Sequence, residues 1–266
     1  MLVELASRFG EAAAEKVLAG EVVDADGVVV TAGTVLPPGA FVYLYRDLPD
    51  EVEVPFEMPI LYRDDDLVVV DKPHFLATMP RGRHIAQSAV VRLRRQLDLP
   101  ELSPAHRLDR LTAGVLLFTT RQELRGPYQT MFATGSVGKI YLAVAQSVPS
   151  VPLPVVLRSR IMKYRGRLQA VEEPGEPNAE TVIEHVGGQH FRLTPRTGRT
   201  HQLRVHMNSL GAPIVGDPFY PDIIDVAADD FSTPLQLLAH TLEFDDPISG
   251  APRRFVSARQ LRHAQM

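Results

Sequence analysis

The chain has 266 residues, 45% of them hydrophobic, enough to build one large domain with a small appendage and too many for global disorder. It contains no cysteine, which excludes disulfides, thiolate metal sites and cysteine nucleophiles, and a reducing, cytoplasmic setting is expected. The net charge of -4 speaks against a polyanionic partner only as an average, since acids and bases are segregated along the chain.

The opening run Leu2–Val23 has the apolar spacing of short helices, with Gly20 placed to end the second. Glu4, Glu11 and Glu15 deny it the character of a signal peptide, and no apolar run reaches membrane-spanning length, so a protein without a membrane partner is expected. Val22–Val30 reads as a hairpin turning at Asp26-Gly27, and Ala40–Tyr45 alternates like a further strand. Residues 1–50 therefore form a small helical and β unit, whose layout resembles the S4-type RNA-binding module. The acidic, proline-bearing stretch 51–59 suits a linker, and the main domain is expected over 60–266. Leu67–Asp71 reads as a buried strand stopped at Lys72-Pro73. Ala86, Val90, Leu93 and Leu97 mark an amphipathic helix, with Arg92, Arg94 and Arg95 on its outer flanks. Gly114–Thr120 is a central strand, Gln122–Thr134 a helix stopped by Gly135, and Lys139–Gln146, Glu180–Val186 and His190–Pro195 are strands. Thr200 is the expected cap of a helix with Leu203, Met207 and Leu210 on its apolar face and Arg204 off it. Helices mixed with strands, without regular alternation, predict an α+β domain around a large mixed sheet.

Acids crowd 47–66, whereas Arg81, Arg83, Arg92, Arg94, Arg95, Arg107 and Arg110 lie in one basic stretch and Arg192, Arg196, Arg199 and Arg204 in another. A cationic face on an anionic protein is thus available. The most informative segment is His106–Thr120, HRLDRLTAGVLLFTT, which puts the Asp109 carboxylate between two arginines just before an apolar strand. A strand-edge loop fixes such a group in place, as a nucleophile or base requires. An ordinary Arg–Asp ion pair is the simpler reading of that local pattern, because such pairs are common.

The same segment resembles the RluA-like RNA pseudouridine synthases. Further segments follow in that family's order: VVVDKP at Val68–Pro73, KIYLAV at Lys139–Val144 and GRTHQLRVHMNSLGAPIVGDPFY at Gly198–Tyr220. The resemblance spans most of Leu61–Phe255. It implies a large, mainly antiparallel sheet flanked by helices and isomerisation of uridine in ribosomal or transfer RNA, without metal or organic cofactor. It further implies Asp109 as the essential carboxylate, Tyr141 as a ring stacking on the target base, and Arg204 as the partner that orients Asp109 through a bidentate guanidinium. Lys72, Arg107, Arg110, Lys139 and Arg199 are expected to meet phosphates or support the loop, and Arg92, Arg94 and Arg95 to grip the backbone of an opened RNA. Ala113 stands where the family usually has serine, and Val137-Gly138 precede Lys139, which bears on loop shape and substrate choice.

Other chemistries fit less well. His201, His206, Asp217 and His240 could converge on a metal ion, yet His201 and His206 are five apart, where one helical face needs three or four. TGSVGKI at Thr134–Ile140 lacks the spacing and hydroxyl of a phosphate loop, and no serine-hydrolase or dinucleotide motif occurs. The competing reading from another class is a noncatalytic RNA-binding or RNA-folding protein on the same scaffold. Nothing in the sequence demands more than a monomer.

Overall fold

The computed structural model describes Ser7 and residues 10–44, 51–82 and 84–261. The start of the first expected helix with Glu4, Tyr45 of the third expected strand, the acids Asp47 and Asp50, and Arg83 lie outside them. The chain divides into two compact units, residues 1–50 and 51–266.

In the first unit, helix α1 (Glu11–Leu18) ends where Gly20 takes φ +74°, a conformation that costs glycine little, and the Glu21 N–H returns to the Lys16 carbonyl at 2.9 Å. Asp24 organises the following turn, its carboxylate accepting the N–H groups of Asp26 and Val28. The expected hairpin is only partly formed. Strand β1 (Val22–Asp24) pairs antiparallel with β2 (Val42–Leu44), while Val29 makes an isolated bridge to Val23. Val17, Val22 and Val30 form the small core.

The second unit is built on an eleven-stranded sheet. Its strands are β3 (Ile60–Arg63), β4 (Leu67–Lys72), β5 (Ser103–Pro104), β6 (Ala113–Thr119), β7 (Gly138–Val144), β8 (Val155–Met162), β9 (Val171–Glu173), β10 (Ala179–Gly187), β11 (His190–Pro195), β12 (Leu237–Asp245) and β13 (Pro252–Val256). The path runs β3-β4-β6-β12-β7-β11-β10-β8-β9, with β5 beside β6 and β13 beside β12. Strands β4 and β6 are buried on both faces, which is why LVVV and VLLF read as unbroken apolar runs rather than alternations. Val68, Val70, Leu116 and Phe118 face helix α2 (Ala89–Leu97) through Val90 and Leu93. Leu67, Val69, Val115 and Leu117 face helix α3 (Gln122–Ala133) through Leu124, Tyr128 and Met131. Helix α4 (Gln202–Ser209) lies against the β8 and β10 side, where His206 bonds to Thr181 and Ser159.

The acidic stretch read as a linker belongs to this second unit. The Glu51 carboxylate accepts the N–H groups of Ile85, Ala86 and Gln87 at 2.7–2.9 Å. Burial opposes its ionisation, but those three donors outweigh it and lower its pKa. Val54 is buried, and Arg92 donates to the carbonyls of Val54 and Phe56. Proline content and charge hid a segment held by its backbone rather than by apolar periodicity.

Among the described residues all strand pairs are antiparallel except β6 with β12, where Ala113 faces Leu238 and Gly114 faces Ala239. Ala239 in turn faces Tyr141 on β7. Gly114, Ala239 and Tyr141 thus form one row, which sets Tyr141 two strand spacings, roughly 10 Å, from the start of β6. At Gly114 φ is +116°, and a Cβ would sit 2.1 Å from the Ala239 carbonyl oxygen. Gly114→Ala is expected to cost more than about 3 kcal/mol, because it combines backbone overlap with a strained φ. Gly198→Ala, whose added methyl meets open space, is expected to stay within about 0.5 kcal/mol. Urea unfolding measures both, and equal midpoints would contradict the close approach of β6 and β12.

Candidate active site

Asp109 sits in the loop entering β6, and that loop is fastened from several sides. The Thr78 hydroxyl donates to the Leu108 carbonyl at 2.8 Å and accepts the Leu108 N–H at 3.1 Å. His74 Nδ1 meets the Leu111 carbonyl at 2.8 Å, and the Thr112 N–H returns to the Asp109 carbonyl at 3.1 Å. His106 is part of the scaffold. Its Nε2 accepts the Leu117 N–H at 3.2 Å, and its ring stacks on Phe132 with centroids 4.3 Å apart. Lys72 is fully buried, and its ammonium donates to the carbonyls of Pro73 (3.0 Å), Leu76 (2.9 Å) and Arg110 (3.4 Å). Burial lowers its pKa to about 7, against the opposing pull of Asp109. Of the two roles expected for Lys72, this geometry serves loop support and leaves no face for a phosphate.

The Asp109 side chain keeps 34% of its surface exposed and points at a guanidinium that keeps 1%. Arg204 Nε and Nη2 hold the two oxygens of Asp217 at 2.7 and 2.5 Å, and Nη1 stands 3.8 Å from Asp109 Oδ2. The bidentate pairing expected for Asp109 therefore belongs to Asp217. A guanidinium has two edges, and the buried, planar pair with Asp217 uses one and aims the other. The rings of Phe219 and Tyr220 lie over the guanidinium, 5.0 and 5.3 Å from its carbon. Asp217 Oδ1 also accepts the Phe219 N–H, so one carboxylate fixes both the cation and its cover.

His201 completes this side. Its Nε2 lies 4.0 Å from Asp109 Oδ2, and its Nδ1 shares a hydrogen bond with the Tyr220 hydroxyl at 3.0 Å. It takes φ +59° and caps α4, whereas Thr200 was the expected cap. The side-chain oxygen of Gln202 accepts from the Arg199 N–H and the Thr197 hydroxyl, which fixes the turn leading into the helix, and no side chain bonds to the helix's first N–H groups. Tyr141 is half-buried on β7, and burial together with the Asp109 charge raises its pKa, keeping the phenol protonated. Asp109, Tyr141 and Arg204 are thus brought together.

The remaining expected residues are dispersed in role. Lys139 is partly buried, burial lowers its pKa, and it donates weakly to the Thr197 carbonyl at 3.4 Å. Arg107 and Arg199 are exposed, the latter donating to the Asn178 carbonyl at 3.2 Å, and Arg110 is partly buried beside the Phe75 carbonyl. The surface expected from Arg92, Arg94 and Arg95 is smaller than its sequence. Arg92 is engaged with residues 54 and 56, and Arg94 Nε donates to the Leu102 carbonyl at 2.9 Å. His201, His206, Asp217 and His240, weighed as a metal set, are engaged separately, and no group of three or more possible metal ligands occurs among the described residues. Sequence reading missed Asp217 as the partner of Arg204. The available signal was that it is the sole acid in Gly198–Tyr220.

Removing one member of the buried pair should leave the other charge uncompensated. Asp217→Asn is expected to lower unfolding free energy by about 3 kcal/mol or more, measured by urea unfolding, and a change below about 1 kcal/mol would contradict this assignment. Burial also depresses the pKa of His106 to about 3 and of His201 and His206 to about 4. All three lie below the unfolded value near 6.5, so the unfolded chain takes up protons first as pH falls. Their contribution is complete above about pH 6.5 and is lost on acidification towards 4. Unfolding free energy should fall between pH 6.5 and 5 by up to about 1.4 kcal/mol per unit per histidine, less steeply in His206→Asn, and a flat profile would contradict the burial.

Residues 66–209 match the family model described as RNA pseudouridylate synthase. The dual-specificity RNA pseudouridine synthase RluA of Salmonella typhi is 35% identical over 208 residues, which cover 74% of this chain and 90% of the relative. Human pseudouridylate synthase RPUSD2 is 34% identical over 169 residues, 62% of this chain, which spans only 31% of that longer protein. Among solved structures, human RNA Pseudouridylate Synthase Domain Containing 1 superposes with a TM-score of 0.60 at 26% identity, covering 79% of this chain and 86% of its own. By the family match and these likenesses, the chain belongs to the RluA-like family of RNA pseudouridylate synthases.

Proposed function

We propose that the chain isomerises selected uridines in structured ribosomal or transfer RNA to pseudouridine, with Asp109 acting at the sugar. The reaction breaks the N1–C1′ bond, turns the uracil and joins C5 to C1′. The C5 proton leaves as N1 gains one, so the product is an isomer and no redox or group donor is consumed. A carboxylate is suited to this as a nucleophile at C1′ or a base at C2′. The observation that carries the reading is the buried Arg204, fixed by Asp217 and turned towards Asp109 at 3.8 Å. It offers the carboxylate a preorganised positive neighbour that needs no rearrangement during reaction. Tyr141 supplies a ring on which the target base can stack while it is detached. Arg107 and Arg199, exposed near the carboxylate loop and the start of α4, are the available phosphate contacts. We further assign residues 1–50 as an S4-like RNA-binding module and the whole as a cytoplasmic monomer.

Uridine-rich RNA labelled with tritium at C5 provides the test. The wild-type protein should release the label to water. Asp109→Asn should bind the RNA but lose release by about 1000-fold or more. Tyr141→Phe, which keeps the ring, should retain far more activity than Tyr141→Ala. RNA binding without any release by the wild type would contradict the proposal and favour a noncatalytic RNA-binding protein.

A further inference from the structure

His201 stands beside Asp109 without a task in the proposed reaction. Its side chain is 9% exposed, and its φ of +59° is one of three positive values at non-glycine residues among those described. A histidine kept in the left-handed region carries a conformational cost, and such costs gather where a side chain has to be aimed. Here the imidazole is held on two sides. It stacks on Phe219 with centroids 5.8 Å apart, and it meets Tyr220 edge-on, with Nδ1 3.0 Å from the hydroxyl.

The Tyr220 hydroxyl decides which ring nitrogen carries the proton. A phenol has one proton to give. The hydroxyl lies 2.8 Å from the Ala170 carbonyl oxygen, which can only accept, so the proton goes there, and the Ala170 N–H donates back to the hydroxyl at 2.8 Å. Towards His201 the hydroxyl can then offer only a lone pair, and Nδ1 must donate. Burial lowers the pKa of His201 to about 4 although the Asp109 charge pulls the other way, so the ring is neutral at pH 7 and Nε2 bears no proton. Two acceptors therefore face one another, the Nε2 lone pair and Asp109 Oδ2, 4.0 Å apart. Neither can bond to the other. A hydroxyl oxygen about 2.8 Å from each fits that spacing, and its hydrogen then has a neutral acceptor as an alternative to the carboxylate.

We propose that His201 reads the ribose of the target nucleotide, its Nε2 accepting the 2′-hydroxyl hydrogen, so that the site selects ribonucleotides over deoxyribonucleotides. The inference rests on the proposed isomerase reading, which brings the target sugar to Asp109. Within an RNA chain the 3′ and 5′ oxygens of that sugar are esterified and the ring oxygen bears no hydrogen. The 2′-hydroxyl is thus its sole O–H donor, and it is also the group that distinguishes RNA from DNA. Taking that hydrogen has a second effect. A 2′-hydroxyl bonded to His201 does not bond to Asp109, which leaves the carboxylate free for the sugar carbon.

The probes are a stem-loop RNA that the protein binds, with a single uridine in its loop, and the same RNA carrying 2′-deoxyuridine at that position. Binding is measured with Asp109→Ala, which stops turnover and leaves Nε2 as the facing acceptor. The deoxy probe should bind about tenfold more weakly, and a 2′-deoxy substitution at the preceding nucleotide should have less than half that effect. Adding His201→Phe, which keeps an aromatic ring against Phe219, should weaken the uridine probe and bring the two affinities within about twofold. Tyr220→Phe, which keeps the ring over Arg204 but frees Nδ1, should also narrow the difference. NMR of the wild-type protein labelled at its histidine ring nitrogens, with the His201 signals identified by their loss in His201→Phe, should place the proton on Nδ1. A proton on Nε2, equal binding of the two probes to Asp109→Ala, or an equal loss for both probes in His201→Phe would overturn the proposal. Label release by the wild-type protein, read in parallel, separates the two ideas. Release without discrimination sinks the ribose reader alone, whereas discrimination without release sinks the isomerase reading and leaves His201 as the group that recognises the sugar.

Discussion

The site depends on a buried guanidinium held by two carboxylates of unequal claim. Arg204 is closed off from water, and taking such a cation out of solvent is costly unless its donors are satisfied. Asp217 meets that cost with two short hydrogen bonds, and the rings of Phe219 and Tyr220 cover the faces of the cation. What is left is one edge, directed at Asp109. Asp109 remains partly exposed, as the role proposed for it requires, while its electrostatic partner is buried like the core.

The sheet explains how these parts meet. The single parallel junction among the described strands, β6 with β12, places the Asp109 loop at the head of β6 and carries Tyr141 into the same row through β12. Gly114 permits that junction because no side chain fits under the Ala239 carbonyl. On the other side, α4 is anchored to β8 and β10 through His206, and its first turn delivers His201 and Arg204. The loop and the helix belong to different halves of the sheet, so the geometry of the site is a property of the whole sheet.

Much of this was legible in the sequence. The runs at 67–71 and 114–120 announced central strands because burial on both faces leaves no polar alternation, and Asp109, Tyr141 and Arg204 stood in ordered motifs. The bidentate partner of Arg204 was less legible, because Asp217 follows a helix and a turn and only folding shows which carboxylate reaches the cation. Strand β8 was hidden by its own basic residues, which interrupt the apolar pattern and leave it half-exposed near the sheet's edge. Strand β12 was hidden by His240, where the register slips by a bulge between Ala239 and Thr241. The stretch 51–59 read as a linker because its attachment runs through Glu51 and backbone carbonyls, which leave no hydrophobic period. Arg92 and Lys72 looked like phosphate ligands for the related reason that charge in a sequence does not show which cations the chain uses to tie its own backbone.

The most direct measurement is a crystal structure of the Asp109→Asn protein with a target RNA. The account predicts a turned-out uridine with its C1′ in van der Waals contact with the side chain at 109, its base stacked on Tyr141, and Arg204 still held by Asp217. A target sugar bound away from residue 109, or a Tyr141 ring packed only against protein, would contradict it.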